Sequence, residues 1–140
     1  MKIPYSNYPK VMKALVVDDD DVSRTFFELF LTRYFNCEVR IAENGTRAVE
    51  EMHTFTPDII FLDILMPFMN GFEFIEHLRS QSKSKDISVV IVSAVDNRDV
   101  IKQMKNLGAK DYFLKPFPIE YARSRINSIL LDSLPPASLN

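Results

Sequence analysis

Five polar residues stand directly after short apolar runs, and their types are those that handle a phosphoryl group beside a metal ion. Asp18 and Asp19 follow Ala14-Leu15-Val16-Val17, and Asp63 follows Ile59-Ile60-Phe61-Leu62. Ser93 follows Ser88-Val89-Val90-Ile91-Val92, and Lys115 follows Asp111-Tyr112-Phe113-Leu114. Three carboxylates in one cleft repel one another, which makes sense when a hard divalent cation neutralises them. Mg²⁺ takes oxygen ligands, keeps several waters and commonly uses one or two carboxylates plus a phosphate oxygen. A lysine ammonium meets a phosphoryl oxygen as a point charge, and a serine hydroxyl can donate to another. The sequence carries no glycine-rich phosphate loop, so a bound nucleotide is not indicated.

The elements that must position these residues are legible in the hydrophobic pattern. Ala14-Leu15-Val16-Val17, Ile59-Ile60-Phe61-Leu62 and Ser88-Val89-Val90-Ile91-Val92 are short and do not alternate, as in strands buried on both faces. Glu38-Val39-Arg40-Ile41-Ala42 alternates, as an edge strand does. Asp111 to Leu114 makes a fifth strand. Phe27, Phe30, Leu31 and Tyr34 fall at i, i+3, i+4 and i+7, one face of a helix. Asn44-Gly45 opens a second helix with Ala48, Val49 and Met52, and Pro57 closes that region. A third helix carries Phe72, Phe74, Ile75 and Leu78, and Ser80 to Lys85 reads as a polar, charged loop. A fourth carries Val100, Ile101, Met104 and Leu107 and ends at Gly108, suited to a left-handed cap. The last carries Ile119, Ala122, Ile126, Ile129 and Leu130, and Pro135-Pro136 stops it. Strands alternating with helices predict an α/β fold, a parallel sheet covered on both faces. In such sheets function gathers beyond the carboxyl ends of the strands, where the five polar residues fall.

Composition narrows the classes. The chain has 140 residues, one domain by size, with 46% apolar and 26% charged residues. Seventeen Lys plus Arg against nineteen Asp plus Glu leave a net charge of −2, unsuited to nucleic-acid binding through a basic face. No apolar run approaches the ~18 residues of a membrane span. The first ten residues hold two prolines and no apolar core, so they do not read as a signal peptide. Cys37 is the only cysteine, which fits a reducing compartment and excludes an intramolecular disulfide.

With these residues in place, the sequence resembles the receiver domain of two-component response regulators, in particular single-domain chemotaxis regulators. The resemblance spans about residues 13 to 131. It rests on Val16-Val17-Asp18-Asp19, on Asp63-Ile64-Leu65-Met66-Pro67-Phe68-Met69-Asn70-Gly71, on Val92-Ser93-Ala94, on Leu107-Gly108-Ala109 with Asp111-Tyr112, and on Lys115-Pro116-Phe117. It implies a doubly wound, flavodoxin-like five-stranded sheet in the order 2-1-3-4-5. It implies that Asp63 is the phosphoacceptor, that Asp19, Asp63 and the backbone carbonyl of Leu65 ligate Mg²⁺, and that Asp18 acts through a bound water. Ser93 and Lys115 would bind phosphoryl oxygens. Ser93 and Tyr112 would form the switch, Tyr112 changing rotamer on activation. The Lys115-Pro116 bond would be cis. The implied donor is a histidine kinase or a histidine phosphotransfer protein, in a cytoplasmic setting, with an unidentified output partner, no membrane or direct nucleic-acid contact, and a homodimer as one option. Residues 1–12 read as an extension, 13–131 as the receiver unit, and 132–140 as a tail or the start of a linker.

Three departures and two rivals sharpen the reading. Ser93 stands where the family more often has Thr, Asn70 where Asp is frequent, and the segment before the first strand is longer than the fold needs. The resemblance implies that the side chains two residues beyond Asp63 and Ser93 help place the hydrolytic water; here they are Leu65 and Val95, which offer it no hydrogen bond, so a long-lived phosphorylated form is expected. Val22, Phe26 and Leu29 form a second apolar stripe on the first helix, expected to dock the phosphodonor. Asp18-Asp19-Asp20 satisfies the Asp-x-Asp of a haloacid-dehalogenase-type phosphatase, but that rival leaves Asp63-x-x-Met-Pro unexplained. A flavin-binding module fails because four aspartates would repel its phosphate. Asp20 and Asp21 read as helix N-terminal charges, His53 and His77 as solvated, and Cys37 as a small packing residue.

Overall fold

The computed structural model describes residues 10–132. All five apolar runs form strands: β1 (Lys13–Val17), β2 (Glu38–Ala42), β3 (Ile59–Leu62), β4 (Ser88–Ser93) and β5 (Asp111–Leu114). They pair in parallel in the order β2-β1-β3-β4-β5. Between and after them run α1 (Asp21–Phe35), α2 (Gly45–Glu51), α3 (Gly71–Ser80), α4 (Arg98–Asn106) and α5 (Ile119–Asp132). The expected doubly wound α/β architecture is therefore present. None of the described helices is long and apolar enough to cross a membrane.

The pleat splits the strands between two cores. Ala14, Val16, Ile59, Phe61, Val90 and Val92 face the α1–α5 layer. Leu15, Val17, Ile60, Leu62, Val89 and Ile91 face α2, α3 and α4. Both sets are buried because helices cover both faces, which is why these strands show no polar alternation. Edge strand β2 does not show the expected alternation in its burial: Glu38 and Ile41 are exposed, Val39 and Arg40 half-buried and Ala42 buried. Before β1, Met12 is buried, Lys10 pairs with Asp58 at 3.0 Å, and the Glu38 amide donates to the Met12 carbonyl.

Local chemistry sets the helix ends. The Asp20 side chain accepts from the Ser23 amide at 3.1 Å, and Asp21 lies in the first turn of α1, the bland role expected of both. Asn70 caps α3 in a reciprocal box with Glu73, at 2.9 and 3.1 Å. Its place where Asp is frequent thus has a structural use, since both side chains accept at an N-cap. Gly108 follows α4 at φ 87°, the left-handed cap expected there.

Two regions differ from expectation. The 80–85 stretch is not a bare polar loop: Ser84 is buried and its hydroxyl donates to the Leu78 carbonyl at 2.8 Å. Of the four apolar residues expected to seat α4, only Met104 is fully buried, while Val100, Ile101 and Leu107 are half-exposed.

Candidate functional site

Backbone pairing brings the five residues to one edge. The Asp63 amide donates to the Val17 carbonyl at 2.9 Å, and the Lys115 amide to the Ser93 carbonyl at 2.8 Å. Asp18, whose amide donates to the Ala42 carbonyl at 3.0 Å, Asp63 and Lys115 are thus each held by a neighbouring strand, and Ser93 is the last residue of β4. One carboxylate oxygen from each of Asp18, Asp19 and Asp63 lies within 4.8 Å of the others. Among the described residues this is the one cluster of three or more such groups with that geometry.

Each carboxylate is held differently. Asp18 is buried; its Oδ1 accepts from the Asp20 amide at 2.9 Å and its Oδ2 from Lys115 Nζ at 2.9 Å. Asp63 Oδ1 accepts from the Ile64 amide at 2.7 Å, and Oδ2 lies 3.8 Å from Lys115 Nζ. Asp19 is exposed at the mouth. Lys115 is therefore closer to Asp18 than to the expected phosphoacceptor. Burial, then the Asp18 charge, push the Asp63 carboxyl up to about 6, and Lys115, the Ile64 amide and the Ser93 hydroxyl only partly oppose this. The cleft has more negative charge than its one lysine offsets.

That imbalance tests whether a metal fits. The donors are all carboxylate oxygens, hard ligands suited to Mg²⁺, Ca²⁺ or Mn²⁺ and not to soft thiophilic ions. Asp19 and Asp63 lack a cation in hydrogen-bond contact, and a divalent ion would supply one. The residues fit the ion that the resemblance implies.

The loop after Asp63 is shaped by Gly71. Its amide donates to the Ile64 carbonyl at 2.8 Å, closing the segment back on itself. A Cβ on Gly71 would press on the Asp63 carbonyl and come within 2.7 Å of Ile64 Cα, so only glycine lets α3 start this close to the acceptor. The Lys115-Pro116 bond is cis, as expected. Ser93 is buried, with its Oγ accepting from the Val95 amide at 3.2 Å. Tyr112 is half-buried and donates its hydroxyl to the Val95 carbonyl at 2.5 Å. Ser93 and Tyr112, the expected switch pair, thus hold the same short segment. Burial raises the Tyr112 phenol above its ordinary value, Asp63 and Asp96 adding to the rise and Ser93 opposing it.

Other expected residues fall as follows. Val22 is 76% exposed, Leu29 is 49% exposed, and Phe26 is half-buried, stacked on Phe30 with ring centroids 5.5 Å apart. Leu65 is 67% exposed and Val95 half-buried. His53 is exposed and His77 half-buried, both lining one surface pocket between α2 and α3. Cys37 is buried, and burial pushes its thiol up to about 12, in keeping with a packing residue. Asp20, the second acid of the rival Asp-x-Asp, is committed to the α1 cap.

Sequence reasoning missed Arg24. Its Nη1 donates to the Asp18 carbonyl at 2.6 Å while Nη2 pairs with Asp21, so it anchors the turn that presents Asp18 and Asp19. Nothing in the sequence separates it from an ordinary surface arginine. It also missed Phe68, which is 86% exposed at φ 65°.

The comparisons with known proteins agree with this geometry. A family model described as the response regulator receiver domain matches residues 14–127. The transcriptional regulatory protein KdpE of Staphylococcus aureus is 33% identical over 118 residues, 84% of this chain and 49% of that protein. The Regulator of RpoS of Escherichia coli is 34% identical over 104 residues, 74% of this chain and 30% of that protein. The chain thus spans half or less of the length of these relatives. Among solved structures, the chemotaxis protein CheY4 of Vibrio cholerae superposes with a TM-score of 0.79 at 28% identity, covering 86% of this chain and 99% of that one. A CheY-like receiver from Methanospirillum hungatei, at 21% identity and a TM-score of 0.80, covers 89% and 97% and shares the fold.

Proposed function

The chain belongs to the response regulator receiver domain family, and from that premise we propose that it accepts a phosphoryl group on Asp63 from a phosphohistidine. Receiver domains are signalling switches of two-component systems and interact with histidine kinases. The observation that carries the assignment is the position of Asp63: its carboxylate is half of a two-acid mouth with Asp19, beside the Lys115 ammonium and the Ser93 hydroxyl.

An Asp63 oxygen attacks phosphorus as the bond from phosphorus to the imidazole nitrogen breaks. The product is an acyl phosphate, and the imidazole leaves and takes up a proton. The Lys115 ammonium and the Ser93 hydroxyl bind two phosphoryl oxygens. Asp19, Asp63 and the Leu65 backbone carbonyl would hold Mg²⁺, with Asp18 acting through a water. That ion would neutralise charge shared between the carboxylates and the phosphoryl group. Arg24 holds the Asp18 turn. The new negative charge draws on Ser93, and Tyr112, bonded to the adjoining Val95 carbonyl, relays the change by altering its rotamer. The donor is a histidine kinase or histidine phosphotransfer protein docking on Val22, Phe26 and Leu29 of α1. The output partner is a separate macromolecule or a second copy of the chain. The unit is cytoplasmic and comprises residues 13–131, with 1–12 an extension and 132–140 a tail or linker.

Acetyl phosphate with and without Mg²⁺, read by intact mass, tests this. Wild type gains one adduct in Mg²⁺ only, and Asp63→Asn gains none. An adduct on Asp63→Asn with loss in Asp18→Asn would favour the phosphatase reading instead.

A further inference from the structure

Nine large hydrophobic side chains are exposed among the described residues, and their placement is uneven. Four lie within five positions of a cleft residue: Val22 after Asp19, Leu65 and Phe68 after Asp63, and Ile119 after Lys115. Phe68 stands apart from the others. At 86% it is the most exposed of the nine, and its φ of 65° is in the left-handed region that favours Gly or Asn. The loop requires that conformation, because Gly71 returns to the Ile64 carbonyl and the Met69 carbonyl accepts from the Gly45 amide at 3.1 Å. A bulky aromatic there gives the isolated domain neither packing nor an easy backbone. Backbone strain with no local return points to a use outside the fold.

We infer that Phe68 is an anchor for the phosphodonor protein, inserting into the apolar face of the helix that carries its phosphohistidine. This rests on the proposed transfer to Asp63. Transfer requires the donor nitrogen and Asp63 to approach within bonding distance of one phosphorus, and the loop that carries Phe68 returns against the Asp63 backbone at Gly71, so the donor surface meets that loop. The rim supplies the matching chemistry: Asp19, Asp20 and Asp21, in sequence after the buried Asp18, are exposed and favour a donor with basic residues. The exposed Val22, Leu65, Phe68 and Ile119 favour apolar residues one helical turn from the histidine. Fully desolvated aromatics near the centre of an interface carry much of its energy. Phe68 therefore adds a contact from the β3–α3 loop to the one proposed on α1.

Phe68→Asn tests the inference without threatening the fold, since Asn tolerates the left-handed conformation. Relief of strain should raise the melting temperature by about 2–5 °C. Wild type and variant are each labelled with acetyl phosphate, and separately with histidine kinases of the source genome, each first autophosphorylated with radiolabelled ATP. Unchanged labelling by acetyl phosphate, with transfer from the fastest kinase slowed roughly 10- to 30-fold, is the expected result. Phe68→Tyr should restore most of that rate. If both donors label the variant at wild-type rates, this inference fails and the Asp63 reading stands; if no kinase transfers to a wild type that acetyl phosphate labels, this inference fails together with the phosphohistidine donor, and only the acceptor role of Asp63 stands. If acetyl phosphate does not label wild-type Asp63, both fail. If transfer is unchanged while the beryllofluoride-treated variant sediments as a smaller species than wild type, the occupant is a second copy and the inference is overturned.

Discussion

Helices α1 and α4 each follow a strand that delivers cleft residues, yet they are seated very differently. The α1 helix buries Phe27, Phe30, Leu31 and Phe35. Phe27 lies 5.2 Å from Phe61 and 6.0 Å from Phe117, so one ring ties α1 to β3 and to the segment after Lys115. The α4 helix buries Met104 alone, and its first turn is held by the Asn97 cap, which accepts from the Asp99 and Val100 amides. The carboxylates at the end of β1 thus stand on a rigid mount. Ser93 leads into a segment with little apolar anchorage, the kind that opens locally at low free-energy cost. A site that must hold its ligands fixed while passing on a change needs that asymmetry.

The largest expected effect would break the rigid side. Phe27→Ala removes a buried ring with four aromatic neighbours and should cost about 3–5 kcal/mol in urea unfolding. Val100→Ala, half-exposed on α4, should cost under about 1.5 kcal/mol. Comparable losses would remove the contrast.

Next comes the strap that keeps α4 attached. Arg79, at the end of α3, donates to the Leu107 carbonyl at 2.9 Å, to Gly108 at 3.1 Å, to Lys85 at 2.9 Å and to Ile87 at 2.8 Å. These are carbonyls at the end of α4 and in the α3–β4 turn. Arg79→Ala should lose about 2–3 kcal/mol. Arg79→Lys should recover little of it, because an ammonium lacks the planar fork. Amide exchange should quicken across α4 before α1, and uniform quickening would contradict the strap.

A smaller effect, with opposite sign, belongs to the cleft. The folded Asp63 carboxyl titrates at about 6 against an ordinary value of 3.8, so the folded state holds more protons than the unfolded chain between those values. Stability therefore falls as pH rises through that window. Asp63→Asn removes the charge and should stabilise the Mg²⁺-free domain by about 1–2 kcal/mol at pH 7. The gain should vanish below about pH 4, where the wild-type carboxyl is also protonated. Equal stability of the two proteins at pH 7 in chelator would show that the crowding is relieved some other way.

The cleft was legible in the sequence because a parallel sheet converts chain position into place. A polar residue after an apolar run must emerge at the carboxyl edge, so Asp18, Asp19, Asp63, Ser93 and Lys115 could be named together. Two helix ends were legible for a related reason, since Asn44 and Gly108 act on their own neighbours. Arg24 and Arg79 were not, because their partners are backbone carbonyls, which carry no residue identity. Burial of Ser84 follows from the same turn. The half-seated α4 was hidden because Val100, Ile101, Met104 and Leu107 keep helical spacing whether the helix sits deep or shallow. The backbone of Phe68 is set by closure of the loop between Ile64 and Gly71 and by the bond from the Gly45 amide to the Met69 carbonyl, conditions that no single-residue propensity reports.

The smallest effect concerns how long the acyl phosphate lasts. Hydrolysis needs a water placed in line with the bond between phosphorus and the Asp63 oxygen. By the resemblance to receiver domains, the side chains expected to flank that approach are Leu65 and Val95. Leu65 is exposed and has no hydrogen-bonding group, while Val95 packs partly into the core. The Val95 backbone is already used, its amide on Ser93 Oγ and its carbonyl by Tyr112. Substitution at Val95 would thus disturb the relay as well as the water, which makes Leu65 the cleaner site. Leu65→Asn offers both a donor and an acceptor without adding charge. It should shorten the lifetime of the acetyl-phosphate-labelled protein about three- to tenfold, up to about 1.4 kcal/mol in barrier height. Decay followed by intact mass after removal of the donor measures this. An unchanged half-life would mean that water reaches phosphorus from the exposed α4 side, so that the loosely seated half of the molecule sets the duration of the signal.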